Sequence, residues 1–493
     1  MGIEIDREDF EPADFERFAA RLRQNVTALE ELLARPGFGV GEKSIGAEVE
    51  LNLVDARGLP HPVNRAVMAA SLDPRVTLEI DRFNLELNSS PLPLSGAPFT
   101  ALARELDGAL VALRRAASQH GARLVTIGIL PTLEQEDFGT SAMSDFIRYR
   151  ALSKSLRGLR GEAFNVQIEG KERLDVNLDD VTFEGAATSF QVHLRVDPQE
   201  FAQAFNAAQI ATAPVLAICS NSPFFLGRRL WAETRVALFR QAVDDRTDLG
   251  PDDWRPARVS FGHGWVRRSA CELFAESVAL YPPLLPILTN EDALGCVRAG
   301  GVPKLAELRL HQGTVWPWNR AVYDDADGGH VRVELRSLPA GPTVADMAAN
   351  AAFLVGLTLG LMPDIDRLLP ALTFKHARRN FYQAASHGLE AELLWPRTGG
   401  YAAAPRPARE LVADLLPLAE SGLLSAGVNA NEAKSWLGII EQRLQCNQTG
   451  AAWQDAVVDQ LSQTLDRPTA LRTMLQRYIQ NAEGGEPVCR WKI

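Results

Sequence analysis

Carboxylate, imidazole and guanidinium side chains alternate with apolar ones in four short segments of the chain. In GAEVEL (residues 46–51) two acids stand two residues apart, and similar alternation returns in residues 83–88, 188–196 and 331–337. Because successive side chains of a strand point to opposite faces, each segment predicts a strand with one apolar and one polar face. The chemically active positions on the polar faces are Glu48, Glu50, Glu86, His193, Glu334 and Arg336.

These residue types suit divalent metals and phosphate. Carboxylate oxygens with one imidazole favour Mg²⁺ or Mn²⁺ over zinc, because no cysteine lies near the four segments. The planar fork of an arginine such as Arg336 binds phosphate oxygens in pairs. If the polar faces converge, the carboxylates and His193 would hold metal ions and Arg336 would meet a nucleotide phosphate. The pattern therefore favours metal-assisted phosphoryl chemistry.

Each segment taken alone also has a structural explanation. A half-solvated antiparallel strand gives the same alternation, His193 could be an ordinary sheet histidine, and Glu334 with Arg336 could belong to a cross-strand ion pair. Only their joint occurrence favours a site. Glu79 lies at the opposite parity from Glu86, so we expect it to reach the site only if a turn or bulge intervenes, and Asp81 is not included.

The elements that must position these residues are mixed helices and strands. Apolar residues at helical spacing predict surface helices over residues 13–34 and 98–119. Further helical patterns occupy residues 200–218, 229–243 and 344–361, and helices follow one another from about 406 to 482.

Strands are predicted near residues 46–54, 83–88, 123–129, 188–196 and 331–337. They alternate with helices without a regular βαβ rhythm, which predicts an α+β fold with a largely antiparallel sheet. A Pro- and Gly-rich stretch near residues 395–405 suggests a boundary. We therefore predict a catalytic domain over residues 1–400 and a helical C-terminal extension over residues 401–493.

Composition restricts the partners. The 493 residues carry a formal net charge of −11, which argues against nucleic acid and anionic membranes and favours small molecules. Five scattered cysteines without a C-x-x-C pair, together with an acidic N-terminus that lacks an apolar segment, predict a cytoplasmic protein. The apolar run from Met347 is predicted to be a buried helix rather than a membrane span.

Other motifs are absent or incomplete. The stretch GVGEKS (residues 39–44) has Glu42 between Gly41 and Lys43 and precedes a predicted strand, so it is not a phosphate-binding P-loop. There is no G-x-G-x-x-G fingerprint and no G-x-S-x-G elbow. Trp316 and Trp318 are expected in the core, although stacking on a substrate ring is the alternative.

An ordered set of motifs resembles the glutamate–cysteine ligase type 2 family, the carboxylate–amine ligases. The likeness spans about residues 41 to 391. The motifs are GAEVEL (46–51), LELNSSP (85–91), TSFQVHLRV (188–196), SNSPF (220–224), VELR (333–336) and RRNFYQAASHGLEA (378–391). The resemblance implies a glutamine synthetase-like fold, in which a curved antiparallel sheet flanked by helices forms a funnel for ATP and divalent metals.

The resemblance also implies roles for single residues. The implied metal ligands are Glu48, Glu50, Glu79, Glu86, His193 and Glu334. Arg336 would contact the transferred phosphate and, with Glu48, act in catalysis, while Glu334 and Asn380 would lie near the nucleotide. The implied reaction uses ATP and Mg²⁺, with Mn²⁺ as an alternative, to phosphorylate a carboxylate, typically the γ-carboxyl of glutamate. An amine, by default cysteine, then displaces phosphate to give an amide.

One departure leaves the acceptor open. The family commonly has an acid shortly after the E-x-R triplet, whereas this chain continues with Ser337, Leu338 and Pro339. Two other functions are retained: a phosphotransferase of the same fold, and a catalytically silent nucleotide sensor or scaffold. Homo-oligomerisation is left open.

Overall fold

Strands and helices alternate along the chain. The structure is a computed structural model that describes residues 5–247, 255–396 and 402–493. In these ranges the strands are β1 (Ser44–Val54), β2 (Val76–Leu78), β3 (Asn84–Asn88), β4 (Leu92–Pro93), β5 (Arg123–Val125), β6 (Phe164–Glu169), β7 (Arg173–Leu178), β8 (Phe190–Arg195), β9 (Phe224–Phe225), β10 (Arg228–Arg229), β11 (Asn319–Asp324), β12 (His330–Leu335), β13 (Glu392–Pro396) and β14 (Ala403–Pro407).

The described residues also form helices, which lie before, between and after these strands in the sequence. They are α1 (Pro12–Leu33), α2 (Asn64–Ser71), α3 (Pro98–Ser118), α4 (Ile147–Arg160), α5 (Phe201–Cys219), α6 (Thr234–Ala242), α7 (Cys271–Leu280), α8 (Ala293–Arg298), α9 (Ala306–Gln312), α10 (Val344–Leu361), α11 (Ile365–Ala371), α12 (Phe374–His387), α13 (Ala408–Ser425), α14 (Ala430–Cys446), α15 (Gly450–Leu461) and α16 (Arg467–Gly484).

An eight-stranded sheet with antiparallel pairing organises the chain. Its strand order is β11-β12-β8-β1-β3-β2, and β4 and β5 pair with the two ends of β1. The sheet is curled, and the predicted α+β fold with a curved antiparallel sheet is confirmed. The apolar positions of its strands, among them Val49, Leu85 and Val333, are buried in one large core cluster.

The two most apolar helices, α5 and α10, pack against each other and against the sheet. By length and composition α5 and the longer segment Val344–Ala371 could each cross a membrane, yet 94% and 89% of their most apolar windows are buried inside the protein. Such burial is typical of core helices, and the prediction for the run from Met347 is confirmed. Trp316 and Trp318 are also buried, as expected.

The predicted helices agree closely with α1, α3, α5 and α10. β8 lacks residues 188, 189 and 196 of its predicted span, and β12 ends at Leu335 rather than at residue 337. Two other elements are much shorter than predicted. The strand expected over residues 123–129 ends at Val125, after which Thr126 leaves the sheet and binds Pro342 and Tyr478. The helix expected over residues 229–243 begins at Thr234, because Arg228 and Arg229 form a hairpin with β9.

The C-terminal helices pack onto the same core. Helix α13 lies so close to α10 that a Cβ on Gly422 would stand 2.1 Å from the Gly356 carbonyl oxygen. Helix α14 contributes Arg443, which is buried and binds Asp346 of α10 at 2.8 Å. The predicted boundary falls partly on residues 397–401, outside the described residues, and the division at residue 400 stays a prediction.

Candidate functional site

The strand register brings the predicted polar faces together. Glu50 stands opposite Glu86 across β1 and β3, and Glu334 stands opposite His193 across β12 and β8. Directly opposed residues of antiparallel strands point to the same side of a sheet. Since β8 also pairs with β1, all four polar faces contribute to one surface of the curled sheet.

Glu48, His193 and Glu334 form one compact group on this surface. The Nε2 atom of His193 lies 2.9 Å from Glu48 Oε1 and 3.9 Å from Glu334 Oε1. One potential ligand atom from each of the three residues lies within 4.8 Å of the others, a spacing that a single metal ion can bridge. Burial alone would raise the pKa of Glu48, but the adjacent His193 outweighs it and lowers this pKa.

A guanidinium determines the tautomer of His193. Nε of Arg332 donates to His193 Nδ1 at 3.0 Å, while Arg332 Nη1 is held by Asp324 at 2.8 Å. A nitrogen that accepts carries no proton, so the ring proton lies on Nε2 and is donated to Glu48. A metal ion at Nε2 therefore requires Arg332 to release Nδ1.

Two arginines neutralise Glu334. Arg320 binds both of its oxygens, at 2.6 and 3.0 Å, and Arg336 Nη1 binds Oε2 at 3.1 Å. The same Nη1 atom donates to Gln191 at 2.6 Å. Burial raises the pKa of Glu334, but Arg320 and Arg336 overcome it and hold the pKa well below its ordinary value. Glu334 is therefore ionised and firmly positioned.

Two other predicted carboxylates, Glu50 and Glu86, accept hydrogen bonds from uncharged groups rather than from arginines, so opposite charge compensates them less than it does Glu334. Burial, followed by the charge of Glu184, raises the pKa of Glu50 to about 7, although the Ser189 N–H and Gln191 donate to it. Burial and the charge of Glu48 raise the pKa of Glu86 to about 7. Carboxylates crowded in this way bind either protons or added cations.

Glu79 belongs to this uncompensated group. β2 ends at Leu78 and β3 begins at Asn84, so the turn that sequence parity required does intervene. Burial and then the charges of Glu86 and Glu50 raise the pKa of Glu79 well above its ordinary value.

The sequence patterns missed several residues that face the site. Glu184, at the end of the short 3₁₀ turn Thr182–Glu184, is one of them; burial raises its pKa to about 7 against the opposing effect of Arg336. Asp81 is fully buried, and within the described part of the chain neither of its carboxyl oxygens has a hydrogen-bond partner. Arg320 stands on a strand that was not predicted. Glu184 lies outside any strand, so periodicity carries no signal for it.

Asn380 is not brought into the carboxylate group by its contacts. Its amide nitrogen donates to the Leu394 carbonyl at 2.8 Å and its oxygen accepts from the Leu394 N–H at 2.7 Å. The side chain therefore braces β13 from helix α12. Its nucleotide contact stays a prediction.

The donor set fits divalent cations. Glu50, Glu79, Glu86 and Glu184 are buried carboxylates, and burial together with repulsion from neighbouring carboxylates raises the pKa of each of them. Oxygen-rich, sulfur-free sites of this kind suit Mg²⁺ and Mn²⁺. The three-residue group around His193 adds one nitrogen donor.

Known proteins resemble this chain in sequence and in structure. The family model of glutamate–cysteine ligase family 2 matches residues 44–270. No curated protein matches the chain. The crystal structure of a glutamate–cysteine ligase from Francisella tularensis in complex with AMP is similar, with a TM-score of 0.54 and 12% identity over 91% of this chain and 90% of that one.

A bifunctional glutathione synthetase from Pasteurella multocida is a weaker structural match. Its TM-score is 0.47 and its identity 11%, over 94% of this chain and 55% of that chain. The family match covers β1 to β8 and the segment with Asn221, and the Francisella structure shares the fold of almost the whole chain. Residues 44–270 therefore match glutamate–cysteine ligase family 2, and the chain as a whole shares the fold of the Francisella ligase.

Proposed function

We propose that this protein is an ATP- and Mg²⁺-dependent ligase that activates a carboxylate as an acyl phosphate and joins it to an amine. The carboxylate would be the γ-carboxyl of glutamate, and cysteine is the default amine. The observation that carries the proposal is the convergence of Glu48, Glu50, Glu86, His193 and Glu334 with Arg336 on one sheet surface. The AMP in the Francisella ligase supports a nucleotide as co-substrate.

Divalent cations held by these carboxylates would neutralise charge on the phosphoryl group in transfer. Arg336 stands beside Glu334 and Gln191, which orient its guanidinium for a phosphate oxygen. Arg320 fixes Glu334 from the neighbouring strand, so the charge that would face the nucleotide is held in one position. The buried sheet surface would also shield an acyl phosphate from water.

The test is phosphate release from Mg-ATP with glutamate and a panel of amines that includes cysteine, with products identified by mass spectrometry. We expect release that depends on the amine and an amide of the corresponding mass. A stable phosphorylated product without amine dependence would instead identify a phosphotransferase. ATP binding without turnover, with glutamate and other carboxylates alike, would identify the silent sensor.

Variants make the test specific to the site. Glu48→Gln and Glu334→Gln should abolish turnover while the protein stays folded. The matched control is Glu432→Gln: Glu432 is also buried and hydrogen-bonded, but it binds Thr100 and Trp436 among the helices. Full activity in a folded Glu48→Gln, Glu334→Gln double variant would refute the proposal.

The proposal also covers the location of the protein and its partners. The protein would act in the cytoplasm on small-molecule amino-acid and amine substrates, without nucleic acid or membrane as partners. Homo-oligomerisation stays open. Asn380 would lie near the nucleotide, beside the β13 backbone that it braces.

A further inference from the structure

A buried arginine donates hydrogen bonds to the main chain at Arg336 and the residue after it. Arg235, at the start of α6, is 1% exposed and donates from Nη1 to the Arg336 carbonyl at 3.5 Å and from Nη2 to the Ser337 carbonyl. Its guanidinium lies over the Trp318 ring, 5.3 Å from the centroid. Glu233, which is fully buried, accepts from Arg235 Nε at 3.1 Å. Arg235 therefore has a fixed position from which it orients the end of β12.

Asn221 joins this arginine to the segment after Arg336. The Asn221 N–H donates to Glu233 Oε2 at 2.8 Å, and the Asn221 side-chain amide donates to the Ala340 carbonyl at 2.8 Å. One buried residue of the SNSPF motif thus holds both the carboxylate that fixes Arg235 and the main chain four residues beyond Arg336. Neither contact involves a residue predicted to bind metal or nucleotide.

The C-terminal helices hold Asn221. Gln454 of α15 donates to the Asn221 side-chain oxygen at 2.9 Å, and the Tyr478 hydroxyl of α16 accepts from the Asn221 amide at 2.8 Å. Tyr478 then donates to the Thr126 carbonyl at 2.9 Å. All of these side chains are buried, where an unmade hydrogen bond is costly, so the arrangement behaves as a unit.

We propose that the helical C-terminal segment takes part in catalysis by positioning Arg336, through a chain of buried hydrogen bonds that runs from Gln454 and Tyr478 through Asn221 and Glu233 to Arg235. Arg235 is a positioning residue, because its side chain contacts Glu233, the Trp318 ring and the Arg336 and Ser337 main chain, and among the described residues it hydrogen-bonds to no side chain predicted to bind metal or nucleotide. The inference rests on the proposed function, in which Arg336 contacts the transferred phosphate.

A matched pair of variants tests the positioning role. Arg258 is a second buried arginine with the same kinds of contact: Asp245 at 2.7 Å, the Thr314 and Pro282 carbonyls, and a tyrosine ring 5.7 Å away. In Arg235→Lys and in Arg258→Lys, a planar guanidinium that donates several hydrogen bonds is replaced by a single ammonium group. We expect both to lower the thermal midpoint, but only Arg235→Lys to lower kcat, by about tenfold or more, with KM for ATP changed less than twofold.

The decisive comparison uses Arg336→Lys as a background. If Arg235 acts through Arg336, adding Arg235→Lys to Arg336→Lys should lower kcat less than twofold further. Equal losses of kcat in Arg235→Lys and Arg258→Lys, or a full additional loss in the Arg336→Lys background, would overturn the inference. Tyr478→Phe should cause a smaller loss of kcat, with Tyr323→Phe, which breaks a buried bond to the Pro303 carbonyl, as its control.

A structural readout separates this inference from the proposed function. If the wild-type protein turns over no substrate, the ligase proposal fails, but the crystal structure of Arg235→Lys still reports on Arg336. We expect Nη1 of Arg336 to move away from Gln191 and Glu334 in the Arg235→Lys variant and to stay in place in the Arg258→Lys variant. An unmoved Arg336 in Arg235→Lys would refute the positioning role.

Discussion

Replacing Glu86 with glutamine should stabilise the metal-free protein above neutral pH, although it removes a predicted metal ligand. Glu86 is 8% exposed and accepts from Asn88 at 2.7 Å and from Thr77 at 3.2 Å. A glutamine oxygen can accept both bonds, and its amide group can donate toward Glu79. The substitution therefore removes a charge and little else.

The magnitude follows from the pKa of Glu86, which rises from 4.5 to about 7. A carboxyl whose pKa is higher in the folded state favours folding when protonated, and this advantage is lost as pH rises from about 4.5 to 7. A difference of about 2.5 pH units corresponds to about 3 kcal/mol, an upper limit because neighbouring carboxylates share the effect. At about 2.1 cal/mol/K per residue, this shifts the midpoint by about 3 °C.

The assay is thermal unfolding at pH 5 and pH 8, with EDTA or with excess Mg²⁺. With EDTA, Glu86→Gln should be more stable than wild type at pH 8 by up to about 3 kcal/mol, and by less than about 1 kcal/mol at pH 5. Excess Mg²⁺ at pH 8 should raise the midpoint of the wild type more than that of Glu86→Gln, and so reduce or reverse the difference.

Glu334→Gln is the control with the opposite sign. Glu334 is ionised and paired with Arg320 and Arg336, so its loss leaves two guanidinium groups uncompensated. We expect it to destabilise the protein by about 3–5 kcal/mol at both pH values, because breaking a buried ion pair is costly. If Glu86→Gln destabilises the metal-free protein at pH 8 as Glu334→Gln does, the uncompensated carboxylates are not a charge deficit and our reasoning is wrong.

Three further predictions concern single side chains. Arg332→Leu frees His193 Nδ1 and should tighten Mn²⁺ binding several-fold by calorimetry; unchanged affinity would mean that His193 is not a ligand. Glu184→Gln should weaken the rise in thermal midpoint that Mg²⁺ causes at pH 8, whereas an unchanged rise would place Glu184 outside the cation site. Asn380→Ala should lower the thermal midpoint, since β13 loses two hydrogen bonds, while AMP affinity falls less than tenfold; a larger fall would indicate direct contact with the nucleotide.

The sequence predicted the carboxylates that lie on the strands β1, β3 and β12. Alternation placed Glu48, Glu50 and Glu86 on one face, and the register of β1 and β3 agrees with it. Amphipathic spacing located α1 and α3 to within one residue at each end. Both patterns are local, because the spacing of apolar residues along a strand or helix can be seen in the sequence without knowing what the element packs against.

The missing parts depend on contacts between distant segments. Glu184 reaches the carboxylates from a 3₁₀ turn, and Arg320 meets Glu334 only because β11 pairs with β12. Arg235 lies in α6, which begins at Thr234, whereas the hydrophobic pattern predicted a helix from residue 229. No periodicity reports which turn or helix end faces a sheet, so a single sequence does not reveal these residues.

The carboxylates of the site fall into two groups, one held ionised by neighbouring cationic or hydrogen-bonding side chains and one with raised pKa values. This difference lets the effect of metal ions on turnover be separated from their effect on stability. Glu334 is neutralised by Arg320 and Arg336, and Glu48 is hydrogen-bonded to His193, so these carboxylates are ionised without added cations. In the other group burial and mutual repulsion raise the pKa values of Glu50, Glu86 and Glu184 to about 7, so we expect protons to relieve the repulsion at lower pH and added cations to relieve it at higher pH. We therefore expect chelation at pH 5 to abolish turnover without loss of stability, because protons replace the cations electrostatically but cannot orient a phosphoryl group. At pH 8 the same chelation should cost both turnover and stability.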